Sequence, residues 1–199
     1  MDAHGVLNGM PIPKQLIYEE LNGQILYRKG YQAVLNQTKT IEEIMGCSSL
    51  QSMISSLIMG YMYKHLDAEE YEIMTNQVGL NLSLEHQFVI DMALYPIKRL
   101  INYALGKYYF EIPPKIVIEV DISVDLEDIT GIHYINQKIQ ALFHFGVERV
   151  LWVFTHDKKI LMAEPNQDWI IRDWAKDVQL MEGYTFNLMQ MIQKKGYKI

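Results

Sequence analysis

Apolar residues in this chain recur at two periods, and the switches between them mark out the elements. Over 48–66, Leu50, Met53, Ile54, Leu57, Ile58, Tyr61 and Met62 follow one another at three- and four-residue steps. That is one face of an amphipathic helix, and Ser48 or Ser49 is placed to cap it. A second stripe of Ile135, Ile139, Leu142 and Phe143 predicts a helix over 132–145, stopped by Gly146. Short β-prone runs predict strands at 71–74, 77–82, 87–94, 115–124, 147–154, 159–163 and 169–172. Strands at 16–21 and 24–27 flank Asn22-Gly23, a strong signal for a two-residue hairpin turn. The pair 147–154 and 159–163 is expected to form another hairpin across His156-Asp157. Thr40 and Glu43 have capping-box spacing before a short helix. Pro96 should open a helix reaching about Leu105, Tyr108-Tyr109-Phe110 should be extended, and 186–193 should close the chain as a helix. Residues 1–13 are polar and rich in Gly and Pro, and are expected to form a flexible N-terminal arm before a single domain over 14–199. The order of strands, helix, strands, helix, strands predicts an α/β, or mixed α+β, fold with a central mixed sheet flanked by helices.

Composition narrows the function classes. With 49% hydrophobic residues in 199, the chain has ample material for a core, and a net charge of −6 argues against a generally basic, nonspecific nucleic-acid binder. It leaves room for a local basic patch, to which Lys98-Arg99, Lys158-Lys159 and Lys194-Lys195 could contribute. The one cysteine, Cys47, excludes an intrachain disulfide and any multi-cysteine zinc site, which points to the cytoplasm. The first residues have neither the basic start nor the apolar run of a signal peptide, and no apolar stretch is long enough for a membrane span. The six histidines, His133, His144 and His156 among them, show no zincin spacing, and there is no Gly-rich phosphate loop.

Two carboxylates look out of place. The strand over 115–124 is apolar on both faces except at Glu119 and Asp121, and the segment 125–128 that follows it is acidic. Asp91 interrupts a second apolar run 28 residues earlier. A carboxylate in such a strand must be paired, protonated or bound to a metal. If the strands are neighbours, Asp91 and Glu119 converge as oxygen ligands suited to Mg²⁺ or Mn²⁺, which take one or two carboxylates and keep several waters. A Lys or Arg partner, or a solvent-facing edge position, accounts for each acid equally well.

In order along the chain come Tyr18-Glu19-Glu20-Leu21-Asn22-Gly23, Asp91 in its strand, Pro113-Pro114-Lys115-Ile116-Val117-Ile118-Glu119, Lys138 ahead of Gly146-Val147, and Leu151-Trp152-Val153. This series resembles the Uma-two family of restriction-endonuclease-like proteins, in the PD-(D/E)XK nuclease superfamily, over residues 16–190. The resemblance implies a restriction-endonuclease-like core with an N-terminal β-hairpin, and a metal-dependent endonuclease, active as a homodimer, that hydrolyses DNA phosphodiesters. It implies that Asp91 and Glu119 hold Mg²⁺ or Mn²⁺ with the backbone carbonyl of Val120. Lys138 would assist the attacking water, and Glu20 or Asp121 would complete the site. There are departures. Asp121 stands where the superfamily has Lys, Ile90 and Lys115 replace a Pro and an Asp, Tyr134 and Phe154 replace acids, and Gln51 replaces a His. They give a second implication, a catalytically degenerate member serving as a homo-oligomeric or nucleic-acid-binding module. An α/β enzyme of unrelated chemistry using the same acids is a third.

Overall fold

The computed structural model describes residues 6–7, 10–126 and 130–199, with side chains from Ile12 onward. The expected N-terminal arm thus lies largely outside the described residues, as do Glu127 and Asp128 of the acidic segment. Within the arm, β1 (Val6–Leu7) pairs with β2 (Met10–Pro11).

The Asn-Gly hairpin forms as expected. β3 (Ile17–Leu21) and β4 (Gln24–Tyr27) pair antiparallel, and Asn22 and Gly23 both take positive φ, 54° and 72°. Those are the left-handed conformations that a tight turn matching strand twist demands. Two short helices follow, α1 (Tyr31–Leu35) and α2 (Glu42–Met45). The capping box before α2 is present: Glu43 Oε2 accepts from Thr40 N–H at 2.7 Å, and Thr40 Oγ1 accepts from Glu43 N–H at 3.4 Å. The long helix α3 (Ser49–His65) is capped by Ser48, whose Oγ accepts from Gln51 N–H at 3.1 Å. It buries Ile54, Ile58 and Met62.

Then come β5 (Tyr71–Met74), β6 (Val78–Ser83), β7 (His86–Ile90), β8 (Met92–Pro96), α4 (Ile97–Leu100) and β9 (Ile116–Val120). After them run α5 (Gly131–Phe145), β10 (Arg149–Phe154), β11 (Lys159–Ala163) and β12 (Ile170–Asp173). The chain closes with β13 (Val178–Met181), β14 (Tyr184–Phe186) and α6 (Leu188–Lys194). The central sheet has six strands in the order β12-β11-β10-β9-β8-β5. It is mixed: β9 and β10 are parallel, and the other pairs are antiparallel. A parallel pair needs a crossover, and α5 supplies it. A second sheet has the order β4-β3-β7-β6.

Strand alternation divides the core between the two faces of the central sheet. Val117, Val150 and Trp152 face α5 and the four-stranded sheet. Ile116, Ile118, Val120, Leu151 and Val153 face α3 and α6. Glu119 falls between Ile118 and Val120, so it points toward α5.

Three expectations need correction. The run 87–94 is not one strand. It breaks at Asp91 into β7 and β8, which belong to different sheets. The strand over 115–124 ends at Val120, because Asp121 turns to φ 63°. The helix after Pro96 stops at Leu100 rather than near Leu105. The ladder of β13 and β14 was not anticipated; its residues Val178, Leu180, Met181 and Phe186 fill the core beneath α3.

Gly146 ends α5 at φ 111°, and a Cβ there would lie 3.1 Å from Pro113 Cγ. Gly146→Ala should therefore cost about 1–2 kcal/mol of unfolding free energy in urea titrations. Unchanged stability would mean that the turn relaxes.

Candidate active site

The break at Asp91 brings the two sequence-predicted acids together. Where β7 hands the chain to β8, Asp91 lies across the end of β9. Its N–H donates to Glu119 Oε2 at 3.1 Å, and its Oδ2 accepts from Val120 N–H at 2.7 Å. The side chain of each acid thus takes a place that a ladder hydrogen bond would otherwise hold.

Lys138 reaches the same point from α5. It sits three residues after Ile135 and four before Leu142, on the helix's inner stripe, and is 1% exposed. Its Nζ lies 2.7 Å from Glu119 Oε1 and 2.7 Å from Glu19 Oε2. It also donates to the Val89 carbonyl at 3.2 Å and to Tyr134 Oη at 3.3 Å. Tyr134, one turn earlier, donates its hydroxyl to Glu19 Oε1 at 2.5 Å. The contact with Glu119 Oε1 is an ion pair without hydrogen-bond alignment. The rings of Phe88, Tyr134, Trp152 and Tyr18 surround the ammonium at 5.4–6.0 Å, within the range of a cation–π attraction.

Glu19, rather than Glu20, is the hairpin acid in this cluster. A bulge in the β3–β4 ladder sets Ile17 against Tyr27 but Glu19 against Leu26. The extra residue turns both Tyr18 and Glu19 inward. Glu20 falls on the opposite face, paired across strands with Ile25 and Gln87. The dipeptide Glu19-Glu20 offered two registers, and alternation without a bulge does not choose between them.

Burial governs the ionisation here. It pushes the Glu119 carboxyl up to about 8, against the pull of Lys138 and with the help of Asp91. Burial also raises Asp91, although Val120 N–H and Lys138 draw it down. For Lys138 burial acts downward, yet Glu119 and Glu19 outweigh it and hold the ammonium well above its ordinary value. The lysine is the fixed charge of the cluster, and Glu119 is the member that gives way.

The other expected ligands are already engaged. The Val120 carbonyl accepts from Gln51 Nε2 at 2.7 Å. Asp121 accepts from Thr155 N–H and Thr155 Oγ1, both at 2.7 Å, and its carbonyl accepts from Trp152 Nε1 at 2.7 Å. Among the described residues no group of three or more His, Cys, Asp or Glu is arranged to hold a metal. Asp91 and Glu119 do meet the minimum for a hard dication that keeps most of its water. They do not make a closed, all-protein site.

Asp91 and Asp121 line a cleft of about 770 Å³, whose other walls include Arg28, Lys29, Lys39 and Cys47. The basic pairs singled out in the sequence do not line it. Arg99 binds Glu148 and the Pro113 carbonyl, and Lys159 binds Asp173. The cleft's own cations are scattered along the hairpin and α1–α2 segments, so no run of charge announces them.

The fold, taken whole, matches a crystal structure of a candidate nuclease of DUF820 from Anabaena variabilis. The TM-score is 0.65 at 12% identity, over 88% of this chain and 89% of that one. The two proteins share a fold. No family model and no curated protein matches the chain. No helix among the described residues is long and apolar enough to cross a membrane.

Two measurements probe the cluster. Lys138→Met leaves the buried Glu19 and Glu119 without their cation and should cost about 3–5 kcal/mol in denaturant unfolding. Adding Glu19→Gln should recover part of that, and a purely additive double mutant would deny the coupling. For Glu119, a carboxyl raised from 4.5 to about 8 on folding gives stability that is full below the lower value and is lost as pH rises through the higher one. Glu119→Gln should remove that decline, so its stability profile diverges from that of the natural protein over this window. Parallel profiles would contradict the raised carboxyl.

Proposed function

We propose that this chain is a phosphodiester hydrolase of the nuclease type, acting on DNA with Mg²⁺ or Mn²⁺ held by Asp91 and Glu119. The observation that supports the reading is that Asp91, whose N–H donates to the Glu119 carboxyl, lines a cleft together with Arg28, Lys29 and Lys39. Carboxylates to hold the ion and cations to hold the phosphate are what a metal-assisted attack on a phosphate anion would use. When bound, the ion would supply an activated water and neutralise charge on the phosphodiester.

The chain's own groups divide the remaining work. Asp91 is partly exposed to the cleft, and Oδ2 is the oxygen held by Val120 N–H. Glu119 is held from behind by Lys138. Buried as it is, Lys138 positions Glu119 and does not touch substrate. Glu19 and Tyr134 fix the lysine in turn. Gln51 takes one lone pair of the Val120 carbonyl, which leaves the other for a ligand.

Gln51 and Lys138 also favour a second reading, a nuclease-fold binding module without catalysis. In it the ammonium serves as the resident cation of the acids, and Gln51 as the partner of the carbonyl. Calorimetric titration with Mn²⁺ or Mg²⁺ separates the two readings. Hydrolysis predicts binding that Glu119→Ala abolishes, and plasmid cleavage that falls to background in Asp91→Ala. Absence of metal binding and cleavage in the natural protein would sink hydrolysis and leave the module.

A further inference from the structure

Five of the chain's 18 Lys and Arg side chains form ion pairs among the described residues. Arg99, Lys115, Lys138, Arg149 and Lys159 each pair with an acid. Among the described residues Arg28, Lys29 and Lys39, which line the cleft, form no ion pair. Glu43, Asp91, Asp121 and Asp157 line the same cleft, and none of them forms an ion pair with these three cations.

Arg28 is also held from several sides. Its N–H donates to the Leu16 carbonyl at 2.8 Å, and Lys29 N–H donates to Ser123 O at 2.9 Å. A bridge to Val124 ties it to the segment that follows Asp121. Its Nε donates to the Gln15 carbonyl at 3.3 Å, and its guanidinium carbon lies 5.2 Å from the centroid of the Tyr18 ring. Nε is the guanidinium nitrogen these bonds use; among the described residues the two terminal nitrogens have no partner. An arginine whose stem and plane are fixed while its fork stays free is pre-organised for two oxygens of one anion.

We propose that Arg28 is the phosphate-clamping residue of this cleft. It grips one phosphodiester of a nucleic-acid strand that runs past Lys29 and Lys39 above Asp91. This rests on the cleft being the substrate site, but not on the chemistry performed there. The grip is a charge-assisted fork to non-bridging oxygens, so it reads backbone and not base sequence.

The test is anisotropy of fluorescein-labelled DNA, as a single strand and as a duplex, bound to the full chain in EDTA over a range of salt. Arg28→Ala should weaken binding of the preferred form roughly tenfold or more and lower the salt slope by about 1. Arg28→Lys should restore the slope but not the full affinity, because it keeps the charge and loses the fork. If Arg28→Ala does not fold, the Lys29→Ala, Lys39→Ala double variant should lower the slope by about 2. DNA that fails to bind the natural protein, or binds every variant equally, overturns the clamp. Arg28-dependent binding with no cleavage after Mg²⁺ is added supports the clamp and overturns the hydrolytic reading. Equal cleavage by the natural protein and Arg28→Ala overturns the clamp and leaves hydrolysis standing.

Discussion

One ammonium group with almost no access to water sets the terms for the centre of this molecule. Lys138 is surrounded by two carboxylates, a carbonyl, a phenol and four aromatic rings. A buried charge is tolerated only when its partners are in place. The partners come from β3, β7, β9 and α5, so satisfying the lysine requires the hairpin, both sheets and the crossover helix to be assembled. Apolar packing alone would allow α5 to slide along the sheet. The ammonium does not, because a displacement of one residue would turn it away from Glu19 and Glu119 together.

The same cluster explains which parts of the molecule were legible in the sequence. Periodicity found α3 and α5, Asn-Gly found the β3–β4 hairpin, and apolar runs found most of the central sheet, because each signal is local. The pairing of Asp91 with Glu119 was anticipated because two acids stood in apolar strands. Glu19 was missed because a bulge is set by the partner strand. The depth of Lys138 could have been read from its place in the Ile135, Ile139, Leu142 stripe. The capture of the Val120 carbonyl by Gln51 could not, since 69 residues separate the two. Arg28 gave no signal, because the hold of Gln15 and Tyr18 on its guanidinium is a property of the assembled fold.

Charge is distributed with the same economy. The acids exceed the cations by 6 over the chain, which would repel a polyanion at long range. Attraction must come at short range, inside the screening length of the surrounding salt. The lining of the cleft brings Arg28, Lys29 and Lys39 together with Asp91 and Asp121.

Asp91 joins two sheets as well as lining the cleft. The chain leaves one sheet at Ile90 and enters the other at Met92, and the two hydrogen bonds between Asp91 and β9 fasten that junction. Loss of this acid would loosen the architecture whatever the cleft does. Asp91, Glu119 and Lys138 thus hold the fold together as well as forming the candidate site. The same three side chains would be retained for mechanical reasons alone.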